Sequence, residues 1–211
     1  IDETAQFIHS LEANHMVSAG SEGTVGTLRS EEYYLRAFQT PHIDYLNLHL
    51  WPLNWGWFNP VTWESTLPQT EINAVEYFNR HMALARTLGK PIVMDEFGLG
   101  RDGGRFHPGT STRARDRYLL LICTVLEDSA RAGAPLAGSN FWAWGGEGTA
   151  QHPDGMWQRG DPFVGDPPQE PQGRNSVFIS DTSTIRILRS HAKAMLMLGA
   201  ASPSTPSGFV R

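Results

Sequence analysis

Residues 91–100 read PIVMDEFGLG, and the fold is read outward from them. An apolar run, Ile92 to Met94, ends in two acids, Asp95 and Glu96, and then in Phe97 and Gly98. A buried strand that finishes this way places charge at the rim of a sheet. Alternation predicts Ile92, Met94 and Glu96 on one face and Asp95 on the other. Upstream, residues 68–88 carry Ile72, Val75, Met82 and Leu88 near helical spacing, with Pro68 suited to the first turn and Gly89 to C′. Downstream, the glycine-rich loop GLGRDGGRFHPG leads into a second long helix over 112–132, stopped by Gly133.

The same rhythm extends both ways. IDYLNLHLW, residues 43–51, alternates Leu46, Leu48 and Leu50 with Tyr45, Asn47, His49 and Trp51. Ser30 before EEYYLRAFQ reads as a helix N-cap followed by acids. HMVSAGSEG, from His15, reads as a first strand near 15–19 and its loop, after a helix that carries Ala5, Ile8 and Leu11. LAGSNFWAW, residues 136–144, reads as a fourth strand, and a final helix covers about 183–198. The Gly-, Pro- and Asp-rich stretch over 145–182 is too long for a mere connection.

Strands alternating with helices mean a parallel α/β sheet, and long loops after the strands suit a (β/α) barrel with its site at the strand C-termini. Four strands cannot close an eight-stranded barrel, so the chain is expected to supply half of one over residues 1–200, with 201–211 as a tail or linker. An open doubly wound sheet is the alternative, but its GxGxxG fingerprint between strand and helix is missing. Starting at Ile1 without a basic-then-apolar leader, the chain reads as a processed product or a fragment.

Composition narrows the function. In 211 residues, 40% hydrophobic and 18% charged, a sizeable core is available. A net charge of −5 without a Lys/Arg run argues against nucleic-acid or anionic-membrane partners. No apolar run approaches the ~20 residues of a bilayer span. The single cysteine, Cys123, excludes an intrachain disulfide and a cysteine zinc site. The excess is tryptophan, seven in all, with Trp51, Trp55 and Trp57 in one cluster and Trp142 and Trp144 in another.

These residues carry the chemistry. Glu96 stands at a strand end, where a carboxylate either acts on substrate or caps and pairs locally. His49 and Trp51 point the same way from their strand, beside Asn47, and all three are placed among the substrate-binding residues. No second His or Cys lies at ligand spacing near His49, so no metal is expected, and no cofactor. Trp142, Trp144 and Asn140 end one face of the fourth strand. Indoles at a rim suit the C–H face of a pyranose, and a carboxylate suits its anomeric carbon.

Together HLWPLNWGWF, PIVMDEFG, NFWAWGG and GDPPQEPQGRNSVF resemble the C-terminal half of glycoside hydrolase family 5, in its bacterial endo-β-1,4-mannanase branch. The resemblance runs from about His15 to Ile187. It implies strands five to eight of a (β/α)8 TIM barrel, with Glu96 as catalytic nucleophile, His49 contacting substrate and carboxylates, and Trp142 as the floor of the −1 subsite. Trp51 stands where the family usually has Tyr. Trp55, Trp57 and Trp144 would bind sugar beyond the reacting ring. The family's acid/base glutamate, which follows an Asn on strand four, has no counterpart here. Glu22, in GSEG, and Glu147, in GGEG, lie on loops of the same rim in neither such context, and Glu22 is placed among the substrate-binding residues.

The resemblance thus implies the nucleophile-bearing half of a retaining endo-mannanase acting on mannan, glucomannan or galactomannan. An endo-β-1,4-glucanase and a non-catalytic sugar-binding half-barrel are the alternatives. The expected partners are β-mannan or mannooligosaccharides and the N-terminal half of the barrel, with a homodimer as the other way to cover the open edges. A polymeric substrate places the protein outside the cytoplasm, secreted or periplasmic.

Overall fold

The computed structural model describes residues 1–201, so the tail expected over 201–211 lies outside the described residues except for Ala201. In chain order the elements are α1 (Asp2–Leu11), α2 (Glu31–Phe38), β1 (Leu46–Leu50), α3 (Trp63–Leu88), β2 (Ile92–Phe97), α4 (Arg113–Arg131), β3 (Leu136–Phe141), β4 (Trp144–Gly146), β5 (Val177–Phe178) and α5 (Thr182–Ala201). β1, β2 and β3 form a parallel sheet in sequential order. α3 packs on α4, and α4 on α5, so the helices form one layer. A doubly wound sheet carries helices on both faces; a sequential sheet under one helix layer is built like a barrel wall.

The core lies between that layer and the sheet. Leu46, Leu48, Leu50, Ile92, Met94 and Phe97 are at most 1% exposed. Local signals hold where they were strongest. Ser30 Oγ accepts the Tyr33 N–H at 3.2 Å and opens α2. Gly89 and Gly133 take φ of 65° and 68° after α3 and α4, a region where a Cβ is costly.

Three expectations are corrected. Residues 15–19 form no strand: the Asp44 carboxylate accepts the Val17 N–H at 2.6 Å, and Asn47 Oδ1 accepts the Gly20 N–H at 2.9 Å. One backbone bond, from the Asp44 N–H to Val17 O at 2.8 Å, joins the stretch to the β1 segment, and side chains take the remaining places of the ladder that a strand would need. α3 begins at Trp63 rather than at Pro68, because Asn59 Oδ1 accepts the Val61 N–H at 2.9 Å and Thr66 Oγ1 accepts the Asn59 N–H at 3.2 Å. Its buried face runs through Leu67, Ala74, Phe78 and Met82, and Ile72 is 50% exposed. The fourth expected strand ends at Phe141, and Trp144 opens β4, which pairs with β5 in a separate two-stranded sheet.

The long segment between β4 and β5 is an organised loop. Asp166, 2% exposed, accepts the N–H of Gly173 at 2.9 Å, the N–H of Asn175 at 3.1 Å and the Ser176 hydroxyl at 2.7 Å. Burial raises its pKa, and these bonds pull it back down. Glu170 Oε1 accepts the Asn54 amide at 2.8 Å, which ties the loop to the one after β1. A Cβ at Gly155 would lie 2.8 Å from the Phe106 ring, in the loop after β2. The segment therefore lies across the loops that follow β1 and β2.

Candidate active site

Glu96 reaches the site through an irregularity. β1 and β2 pair in step from Leu46↔Ile92 to Leu48↔Met94, and then His49 pairs with Glu96. Asp95 is the extra residue of a β-bulge. Strict alternation would put Glu96 with Ile92 and Met94 and Asp95 opposite. The bulge corrects this: Ile92 and Met94 are buried under the helices, and both acids meet the Asn47–His49–Trp51 face. The Trp51 Nε1–H donates to Glu96 Oε2 at 3.1 Å, and His49 Nδ1 lies 3.3 Å from the same oxygen. The carboxylate side chain is 30% exposed and the imidazole 11%.

The neighbouring carboxyl has another task. Asp95 Oδ2 accepts a short hydrogen bond from Asn47 Nδ2. Burial raises the Asp95 pKa, with the charge of Glu96 adding to it, while the Asn47 bond and His49 act the other way.

Trp142 joins the site from the end of β3. Its N–H donates to Phe97 O at 2.9 Å, and its ring meets Trp51 edge-on, centroids 5.9 Å apart at 79°. The Trp142–Ala143 peptide bond is cis. Gly98 makes this approach possible: a Cβ there would stand 2.8 Å from Trp142 O and 3.2 Å from the Trp51 ring.

A second aromatic group adjoins. Trp55 and Trp57 meet edge-on at 4.9 Å and both pack on Tyr77. The Trp55 Nε1–H donates to Glu22 Oε2 at 3.1 Å, and Tyr77 Oη donates to Glu22 O at 2.8 Å. Glu22 O also accepts the His49 N–H at 3.3 Å, which links the two groups.

His81 supports this corner from below. Its ring lies 4.2 Å from Tyr77, Nδ1–H donates to Tyr77 O at 2.7 Å, and Nε2 accepts the Thr24 N–H at 2.9 Å. Burial lowers its pKa from 6.5 to about 4. Between those values the unfolded chain holds the extra proton, so stability falls as pH falls through that window. The loss is roughly 3 kcal/mol once pH is below about 4. Urea unfolding near about pH 7 and about pH 4 checks this against His81→Asn, whose pH dependence is expected to be flatter by that amount. An equal pH dependence in both proteins would rule His81 out as the source.

Two expected residues, Asn47 and Trp144, stand apart, as does Glu147. Asn47 is 1% exposed, with Nδ2 on Asp95 and Oδ1 on Gly20 and Ser18, so it braces the sheet from within. Trp144, 55% exposed, lines with Asn140 a groove between β3 and α5. The ladder of β3 ends at Phe141, so alternation does not carry Trp144 to the side of Trp142. Glu147 is exposed on the segment after β4. Gly98, Tyr77 and His81 escape sequence reading, since their parts depend on contacts far along the chain. The DEFG block was the one local signal for Gly98. No group of three or more His, Cys, Asp or Glu suited to a metal occurs among the described residues.

A carboxylate held by an indole N–H and an imidazole at the end of a parallel strand, edged by further indoles, forms the candidate site of this α/β protein. Residues 1–200 match the family profile "GH family 5 beta-mannosidase-like", and the chain belongs to glycoside hydrolase family 5. It is similar to the family 5 mannosidase of Rhizomucor miehei, 32% identical, with a TM-score of 0.85 over 94% of this chain and 48% of that one. That likeness makes the sheet and its helix layer part of a (β/α)8 barrel. Among curated proteins, "Putative mannan endo-1,4-beta-mannosidase 4" of Arabidopsis thaliana is 26% identical over 94% of this chain and 46% of its own length. The endo-β-1,4-mannanase of Thermotoga petrophila, 17% identical with a TM-score of 0.55, shares the fold. The chain spans about half the length of these relatives.

Proposed function

We propose that this chain is the nucleophile-bearing C-terminal half of the barrel of a retaining glycosidase, with β1 to β3 as strands six to eight, that cleaves β-1,4-mannosidic bonds within mannan, glucomannan or galactomannan. The observation that carries this is the Glu96 carboxylate at the end of β2, with Trp51 Nε1 at 3.1 Å and His49 Nδ1 at 3.3 Å on one oxygen, Oε2. Both contacts orient the group and leave Oε1 to attack. Glu96 forms a bond to the anomeric carbon as the bond to the leaving oxygen breaks. A glutamate of the N-terminal half gives that oxygen its proton, then takes one from the water that releases the sugar. The retaining path needs the two carboxyls about 5–5.5 Å apart.

Trp142 forms the floor under the reacting ring, and Trp55, Trp57 and Glu22 serve the sugars around it. The N-terminal half covers the outer edge of β3, which has no strand partner among the described residues, and the apolar side chains that α1 leaves outside: Ile8 is 39% and Leu11 72% exposed. Relatives of about twice the length support this completion. The mannan endo-1,4-beta-mannosidase names of the curated relatives support the substrate, and a polymer of that size places the enzyme outside the cytoplasm.

A second reading follows from one observation. A variant of the R. miehei mannosidase, 32% identical to this chain, has been solved in complex with mannosyl-fructose. The same site would then release mannose from short mannosides. Incubation of the full-length enzyme with linear mannan, carboxymethylcellulose and mannobiose, followed by chromatography and proton NMR of the first products, tests both. Mannooligosaccharides of mixed length with retained β-configuration are expected. Mannose alone would favour the second reading, inverted products would remove Glu96 as nucleophile, and cleavage of cellulose without mannan would replace the sugar.

A further inference from the structure

The segment between β4 and β5 carries an aromatic pair that the reacting centre leaves unused. The rings of Trp157 and Phe163 stack face to face, centroids 4.8 Å apart and 7° from parallel. Phe163 is 61% exposed, whereas its neighbour Val164 is 2% exposed and anchors the strip. An apolar ring turned to solvent on a half-buried indole is not what loop packing requires.

The indole plane is set by polar bonds that do not involve Phe163. Trp157 Nε1–H donates to Asp161 O at 2.9 Å. Asp161 Oδ2 accepts the Gln158 N–H at 2.8 Å and lies 2.9 Å from His152 Nε2. The turn is also fastened to the site's rim. The Gln172 N–H donates to Gly155 O at 2.8 Å, and a Cβ at Gly155 would stand 2.8 Å from the ring of Phe106, in the loop that follows the Glu96 strand.

We propose that the Trp157–Phe163 pair is a second sugar-stacking platform, which holds a pyranose ring of the β-1,4-linked chain outside the reacting subsite. This rests on the mannan-cleaving reading above. A flat, rigid ring pair on a polar frame is pre-organised, so stacking the C–H face of a sugar costs little ordering. A ring far from the scissile bond binds equally in ground and transition states, so its loss raises KM and leaves kcat in place.

The test compares wild type, Phe163→Ala and Phe163→Tyr in the full-length enzyme on mannohexaose and mannobiose. Phe163 is chosen because its exposure leaves the fold independent of it. For Phe163→Ala, KM for mannohexaose is expected to rise about five- to tenfold. Its kcat, and the kinetics on mannobiose, are expected to be unchanged, and Phe163→Tyr to behave as wild type. No change on mannohexaose overturns the platform, and so does an equal loss on both substrates. If the wild type cleaves cello-oligosaccharides instead, the mannan reading fails, and the same comparison on cellohexaose decides the platform. If it cleaves neither, calorimetric binding of mannohexaose to wild type and Phe163→Ala decides it, and no binding by the wild type overturns both.

Discussion

In the full-length enzyme, Glu96→Gln is expected to lower kcat by at least about 10³-fold, or about 4 kcal/mol of barrier, while mannooligosaccharide affinity stays within a few-fold of wild type. The substitution keeps the shape of the side chain and an oxygen to accept the Trp51 N–H, so the cluster of Trp51, His49 and Trp142 survives. What disappears is the charge and nucleophilicity needed to form the glycosyl bond. Steady-state rates with calorimetric affinities check the split. A variant that retains more than about a tenth of kcat, a difference worth only about 1.4 kcal/mol, would remove Glu96 from the nucleophile role. A parallel collapse of affinity and thermal stability would make it a structural carboxylate.

The second large effect concerns a charge cluster behind the site. Arg101 and Arg115 are 0% and 1% exposed, and Asp181 lies between them. Asp181 Oδ2 takes a short bond from Arg101 Nη2, lies 3.6 Å from Arg115 Nη1 and accepts the Phe178 N–H at 2.9 Å. Arg115 also donates to Leu99 O at 2.7 Å and Ser176 O at 2.8 Å, which ties the end of β2 to the start of β5. Burial, and then the charge of Arg101, lower the Arg115 pKa to about 10.

Asp181→Asn leaves two buried guanidinium groups without their shared counter-charge. Breaking a buried pair costs about 3–5 kcal/mol, a large share of a typical stability of ~5–15 kcal/mol. Urea unfolding of Asp181→Asn beside wild type is expected to show that loss. A difference under about 1 kcal/mol would show that Asp166 and the carbonyls compensate the arginines on their own. Because the cluster anchors both the loop after β2 and the long β4–β5 segment, kcat/KM is expected to fall with stability.

Both predictions depend on residues that the sequence reveals unequally. Glu96 stands out in the chain: acids closing an apolar run mark a rim, whatever surrounds them. The Arg101–Arg115–Asp181 cluster does not, since nothing local says that two arginines 14 positions apart and an aspartate 66 residues further on will share one buried pocket. Asn47 and Trp144 show the same limit from the other side. Strand position alone assigns each of them to the sugar. Asn47 is consumed by Asp95, Gly20 and Ser18, and Trp144 leaves with β4 toward the groove beside α5.

What the sequence determined by itself is whatever short-range sterics and periodicity decide. The Leu46–Leu48–Leu50 stripe, the Ser30 cap and the turns at Gly89 and Gly133 depend on neighbours a few residues away, and they stand in the structure as read. The tertiary structure alone decided the rest. A one-residue bulge at Asp95 reverses the facing that period two assigns to Glu96, and it is held by Asn47, 48 residues back along the chain. Side chains of the β1 segment take the remaining hydrogen bonds that would have made 15–19 a strand. Gly98 is required only because Trp51 and Trp142, distant in sequence, close on it from two strands. In each case the outcome is set by which partner satisfies a backbone or side-chain group, and that partner is chosen by packing between segments, which no local pattern encodes.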